Sequence, residues 1–149
     1  MKLFFSNLIL VVSLSLISCD GNGGQGKTTD TDSSAFGSLA EKQAFLERYV
    51  EFRRSYEVLQ FHINFIDGGD GGVPAPSEWD VRIFAMVPAD EIDNWTAGMT
   101  KVESVDTSWV SAVPNTPTRF RNFEWYQTGN KVVGVSRADR AVLYRNFAN

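Results

Sequence analysis

The chain has 149 residues and a formal net charge of −4. Lys2 is the only charge ahead of Cys19, so the remainder carries 13 of the 14 basic side chains and all 18 acidic ones, a net of −5. A mildly acidic chain lacks the basic patch that a broad nucleic-acid surface requires, and it does not adhere to anionic lipid by charge alone. The single cysteine excludes an internal disulfide.

Residues 3–17 are apolar except for Ser6, Asn7, Ser13 and Ser15. Fifteen residues make a helix of about 22 Å, shorter than the roughly twenty residues a membrane span needs. With Lys2 in front, the segment has the layout of a secretory signal peptide. It ends in Leu16-Ile17-Ser18-Cys19, which resembles the lipobox of bacterial lipoproteins: an aliphatic residue, two tolerated positions of which the second is small, then cysteine. The resemblance covers only the targeting segment. It implies that diacylglycerol is attached to the Cys19 thiol, that residues 1–18 are removed, and that Cys19 becomes the first mature residue. Two or three acyl chains hold firmly where one holds weakly. Asp20 resembles the inner-membrane retention signal of enterobacterial-type lipoproteins. The expected location is therefore the cell envelope, on the outer side of the cytoplasmic membrane or in the outer membrane, with Asp20 pointing to the inner one.

Residues 20–37, DGNGGQGKTTDTDSSAFG, hold Phe36 as their only large apolar group. Such a stretch cannot bury enough apolar area to offset its ordering entropy. Residues 19–37 are thus expected to be a lipidated cysteine and flexible tether, with a typical reach of about 25 Å. GNGGQGKTT lacks the spacing of a phosphate-binding loop.

The folded domain is expected over 38–149. Ser38 and Glu41 fit a capping box, and Phe45, Tyr49, Phe52 and Tyr56 recur at helical spacing, which predicts a helix from Ser38 to about Tyr56. Leu59, Phe61, Ile63 and Phe65 alternate with Gln60, His62 and Asn64, the pattern of a half-buried strand. Trp79, Val81, Ile83, Ala85 and Val87 make a second. Asp90, Glu91 and Asp93 suit the start of a short helix, with Ile92, Trp95 and Met99 on one side and Gly98 as its stop. Residues 100–118 are open between strand and irregular chain. Residues 120–127, 131–137 and 141–147 read as three strands, the first two joined by a tight turn at Gly129-Asn130. Phe120 and Phe123 cannot share a face of a regular strand, and a bulge would resolve that. The fold class expected is α+β: two layers, a mostly antiparallel sheet of about five strands, one long and one short helix.

Chemistry is sparse. His62, the only histidine, falls on the polar face of a strand; no GxSxG elbow supplies it with a nucleophile, and one histidine without a free thiol makes a poor zinc site. Asp67 and Asp70, in DGGDGG, look like half of a calcium loop, against the plainer reading of a solvated loop. Glu78 with Asp80, or Asp90 with Asp93, offer paired carboxylates for glycoside cleavage, although Asp90 and Asp93 are also explained as helix-start residues. The four tryptophans, Trp79 among them, could stack on sugars or simply fill a core. Arg119, Arg121, Arg137, Arg140 and Arg145 gather positive charge near the C-terminus. Glu78, Trp79, Arg119 and Arg121 are the candidate interaction residues, and no cofactor is expected beyond the lipid on Cys19. The expected function is a membrane-anchored binding or interaction module of the envelope, non-catalytic, with an envelope protein or glycan as partner and no nucleic acid. The alternative is a small carboxylate-using hydrolase or glycan-binding protein.

Overall fold

A computed structural model describes residues 28–68, 76–117 and 122–148. Seven strands form one antiparallel sheet: β1 (Thr29–Asp32), β2 (Val58–Ile66), β3 (Glu78–Met86), β4 (Thr100–Val102), β5 (Glu124–Thr128), β6 (Lys131–Ser136) and β7 (Ala141–Ala148). Their order across the sheet is β1-β2-β3-β7-β6-β5-β4. The α+β class holds, but the sheet has seven strands rather than about five. The two added strands are its edges. β1 lies inside the expected tether, with Thr29 opposite Phe65 and Asp32 opposite His62. Its Thr-Asp-Thr-Asp sequence lacks the apolar side chains of a central strand and suits an edge, where one side meets solvent. β4 lies in the stretch the sequence left open.

The capping box forms as expected. Ser38 Oγ accepts the Glu41 N–H at 3.2 Å, and Glu41 Oε2 accepts the Ser38 N–H at 3.0 Å. Yet the helix, α1, covers only Leu39–Leu46 instead of reaching Tyr56. The aromatic stripe still faces the core, but a non-helical chain carries its second half. Extended chain advances up to about 3.3 Å per residue against 1.5 Å in a helix. Phe52 thereby reaches Trp95 and Tyr144, at ring separations of 5.2 and 5.4 Å. The short helix expected near residue 90 is a 3₁₀ helix, Ala89–Trp95, whose three-residue period buries Ile92 and Trp95 together. Another 3₁₀ helix, Ser108–Ala112, occupies the segment that could have been a strand. β5 begins at Glu124, after Asn122 at φ 69°, rather than at Phe120, which lies outside the described residues.

Both faces of the sheet carry apolar clusters. On the first, Phe61, Ile63, Val81, Ile83, Val133 and Val142 lie under Leu46, Ile92 and Trp95. On the second, Phe84, Ala141 and Leu143 lie under Trp109, Val110 and Val113. The second cover makes the domain more than two layers over part of its area. Beyond that cover the same face carries mainly polar and charged side chains, with Ile66 exposed among them.

Candidate functional site

The first-face core ends before the sheet does. Phe65 and Trp79 face each other at the far ends of β2 and β3. Tyr144 and Asn146 alternate along β7, and Lys131 of β6 stands opposite Asn146. These side chains share one face, and residues 49–52 pass over them to form a groove of about 300 Å³. A second hollow of about 340 Å³ adjoins it across Tyr49, Glu51 and Phe65, and adds Arg48, Asp67 and Ser77. The Tyr144 hydroxyl is pushed up to about 12 by burial, with Asn146 hydrogen-bonded to it, so it stays a neutral phenol at physiological pH.

Trp79 differs here from the other tryptophans. Trp95 is buried against Phe52, Tyr56 and Tyr144. Trp109 is buried and its Nε1–H donates to the Asp106 carbonyl at 2.8 Å. Trp125 lies over Gly134, close enough that a Cβ there would fall 2.6 Å from its ring. Trp79 is half-buried, belongs to neither apolar cluster, and among the described residues packs against no other ring.

The opposite face carries a chain of charged groups across four strands. His62 Nε2 is 2.8 Å from Asp30 Oδ1, and Arg82 Nη1 is 3.3 Å from His62 Nδ1. A guanidinium can only donate, so Nδ1 accepts and the Nε2–H of His62 points at Asp30. Arg82 Nη2 donates to Asp80 at 2.6 Å, while Arg145 Nε and Nη2 reach both Asp80 oxygens at 3.0 and 2.8 Å. Burial alone would push the Asp80 carboxyl up; the two arginines outweigh it and hold it below the ordinary carboxylate value. Arg145 also stacks on Phe147, 4.3 Å from the ring centre. His62 is thus the hydrogen-bonded sheet histidine its position suggested.

Asp80, held ionised by two arginines, cannot serve as a general acid. Asp93 pairs with Arg137 at 2.9 Å, and Asp90 is exposed at the start of the 3₁₀ helix. Neither pair proposed from the sequence lines the groove or the hollow beside it, where the carboxylates are Glu51 and, in the hollow alone, Asp67. Glu78 is exposed on the opposite face from its neighbour Trp79, level with Ile66. Arg137, Arg140 and Arg145 are each paired internally, with Glu124 and Asp93, with Glu57, and with Asp80. Arg119, Arg121, Asp70, Cys19 and Asp20 lie outside the described residues. Among the described residues, no three His, Cys, Asp or Glu side chains are grouped to hold a metal ion, and no helix is long and apolar enough to cross a membrane.

A larger pocket, about 780 Å³, opens on the second face between Val110, Val113, Phe123 and Trp125, with Pro117 and Asn122 at its rim. It is mainly apolar, whereas the groove at Trp79 mixes ring faces with groups of both charges.

The chain matches no family model, no curated protein and no solved structure.

Of the residues lining the groove and the adjoining hollow, sequence patterning singled out Trp79 and Asp67. Tyr49 was absorbed into a helical stripe. Lys131 and Asn146 meet only through the pairing of β6 with β7. Glu51 would have sat on the outer side of a helix; the chain past Leu46 turns it to the groove instead.

Proposed function

We propose that this protein is a lipid-anchored binding module of the bacterial envelope, attached through Cys19 and acting through the groove at Trp79. The lipobox-like Leu16-Ile17-Ser18-Cys19 behind an apolar leader carries the anchoring. The binding role rests on a half-buried tryptophan outside both core clusters, set in a groove of small-molecule size. Because β1 begins at Thr29, the tether expected to run to Gly37 gives way to the sheet at that residue. Thr29 pairs with Phe65, so the tether joins the sheet at the end that holds the groove, and the ligand is met close to the membrane.

Growth with a labelled fatty acid tests the anchor. Label is expected in the wild-type protein and lost in Cys19→Ser; an unlabelled wild type overturns the anchoring. Turnover of an envelope substrate by the purified protein would overturn the non-catalytic role.

A hydrolase reading draws on one observation, that Glu51 and Asp67 both line the hollow beside Phe65. It requires glycan cleavage by the wild-type protein, abolished in both Glu51→Gln and Asp67→Asn.

A further inference from the structure

We infer that the ligand of the Trp79 groove is a saccharide, with one sugar ring stacked on the Trp79 indole and its hydroxyls read by Asn146, Glu51 and Lys131. This deepens the binding-module reading and rests on it.

Three features select that ligand class. The first is the unused ring. A large aromatic side chain that contributes to no core and meets no other ring leaves an apolar face beside solvent. Flat apolar patches formed by the axial C–H groups of a pyranose match such a face in size and shape. A purely apolar ligand would match it equally well, so the groups around the ring decide.

The second feature is those groups. Asn146 offers both donor and acceptor, Glu51 accepts, and Lys131 donates. Among the described residues Glu51 and Lys131 make no ion pair, and both are exposed. They stand ready to meet hydroxyls, which donate and accept alike. Asn146 already bonds the Tyr144 hydroxyl and has amide capacity to spare; an acyl chain or aliphatic segment would strand Glu51 and Lys131, at a cost in free energy for each one covered.

The third feature is charge balance. Lys131 and Glu51 offset each other in the groove, as Arg48 and Asp67 do in the adjoining hollow. No excess charge attracts an anion or a cation, so a neutral polyhydroxylated ligand fits best. The adjoining hollow of about 340 Å³, which shares Tyr49, Glu51 and Phe65 as lining, offers space for a second sugar unit beside the first.

The test uses the full-length protein in detergent micelles. The probes are β-1,4-linked N-acetylglucosamine, cellulose-type and starch-type oligosaccharides, followed by calorimetry. At least one series is expected to bind, with a Kd of about 1 mM or tighter. Trp79→Ala should weaken that binding about tenfold or more, Trp79→Phe less, and Asn146→Ala and Glu51→Gln severalfold each. Asp90→Asn, far from the groove, should bind as wild type. Melting temperatures close to wild type in Trp79→Phe and Asn146→Ala separate a lost contact from a lost fold. Saccharide binding that survives Trp79→Ala unchanged overturns the assignment to this groove. No binding by any of the three series overturns the saccharide. If tryptophan fluorescence then responds instead to neutral phospholipid vesicles, and the response is lost in Trp79→Phe, the saccharide inference fails while the binding module stands. If it responds to neither, both fail.

Discussion

Arg145 grips Asp80 with two nitrogens, Nε at 3.0 Å and Nη2 at 2.8 Å, across the β3–β7 pairing that joins the two halves of the sheet. Arg82 donates to the same carboxylate from its own strand. Asp80 has a side chain only 14 % exposed, so removing its charge leaves two half-buried guanidinium groups facing each other. Asp80→Asn is expected to cost about 2 kcal/mol of stability near neutral pH, read from denaturant midpoints. The pH dependence has a definite sign. The folded-state value of Asp80 is lowered from 3.8, so its contribution is fully present above the ordinary carboxylate range and lost as acid titrates the folded carboxylate. Asp80→Asn should therefore flatten the acid limb of the stability curve. An unchanged limb would show that Asp80 has no part in it.

The contact between Trp125 and Gly134 makes a second test. A Cβ at 134 would lie 2.6 Å from Cζ3 of the indole and 2.9 Å from two more ring carbons. Gly134→Ala must displace the ring or bend β6, and should cost about 1–3 kcal/mol. In a Trp125→Ala background the same change should cost much less, because the obstructing ring is gone. Equal costs in both backgrounds would rule out the steric cause.

Two buried phenols set the alkaline limit. Tyr56 and Tyr144 are both pushed up, chiefly by burial, Tyr144 to about 12. A raised value means that their contribution is intact below about pH 10 and is lost as pH climbs through the folded-state value. Unfolding should steepen above pH 10. The Tyr56 hydroxyl is also buried without a hydrogen-bond partner among the described residues. Tyr56→Phe should leave stability at pH 7 equal or slightly higher and soften the alkaline loss. A cost of about 2 kcal/mol or more at neutral pH would contradict the missing partner.

Ser38→Ala removes one half of the capping box on an eight-residue helix. About 1 kcal/mol should be lost. Ser38→Asp, which keeps an acceptor at the cap, should recover most of it in the same denaturant measurement.

The reach of sequence patterning is visible in particular residues. The alternation of Leu59, Phe61 and Ile63 with Gln60, His62 and Asn64 located β2 because a strand buried on one face writes its period directly. The capping box located the start of α1 because caps are local. The end of α1 was not legible: the spacing of Phe45, Tyr49, Phe52 and Tyr56 fits a helix, but tertiary contacts to Trp95 and Tyr144 won. β1 was not legible either, since Thr-Asp-Thr-Asp carries no apolar signal and becomes a strand only by pairing with β2. Trp79 could be named from the sequence. That it stands outside both cores, near Lys131 and Asn146, depends on strand pairings that no local pattern encodes.

β7 joins the sheet between β3 and β6, and among the described residues no other strand pairing connects β1–β3 with β4–β6. The two half-sheets therefore stay unjoined, each with an open edge, until residues 141–148 arrive. β6 and β7 form a local hairpin, but the β3–β7 pairing is distant along the chain and slow to form. A chain cut after Arg140 should therefore remain two half-sheets with exposed apolar faces instead of a smaller protein.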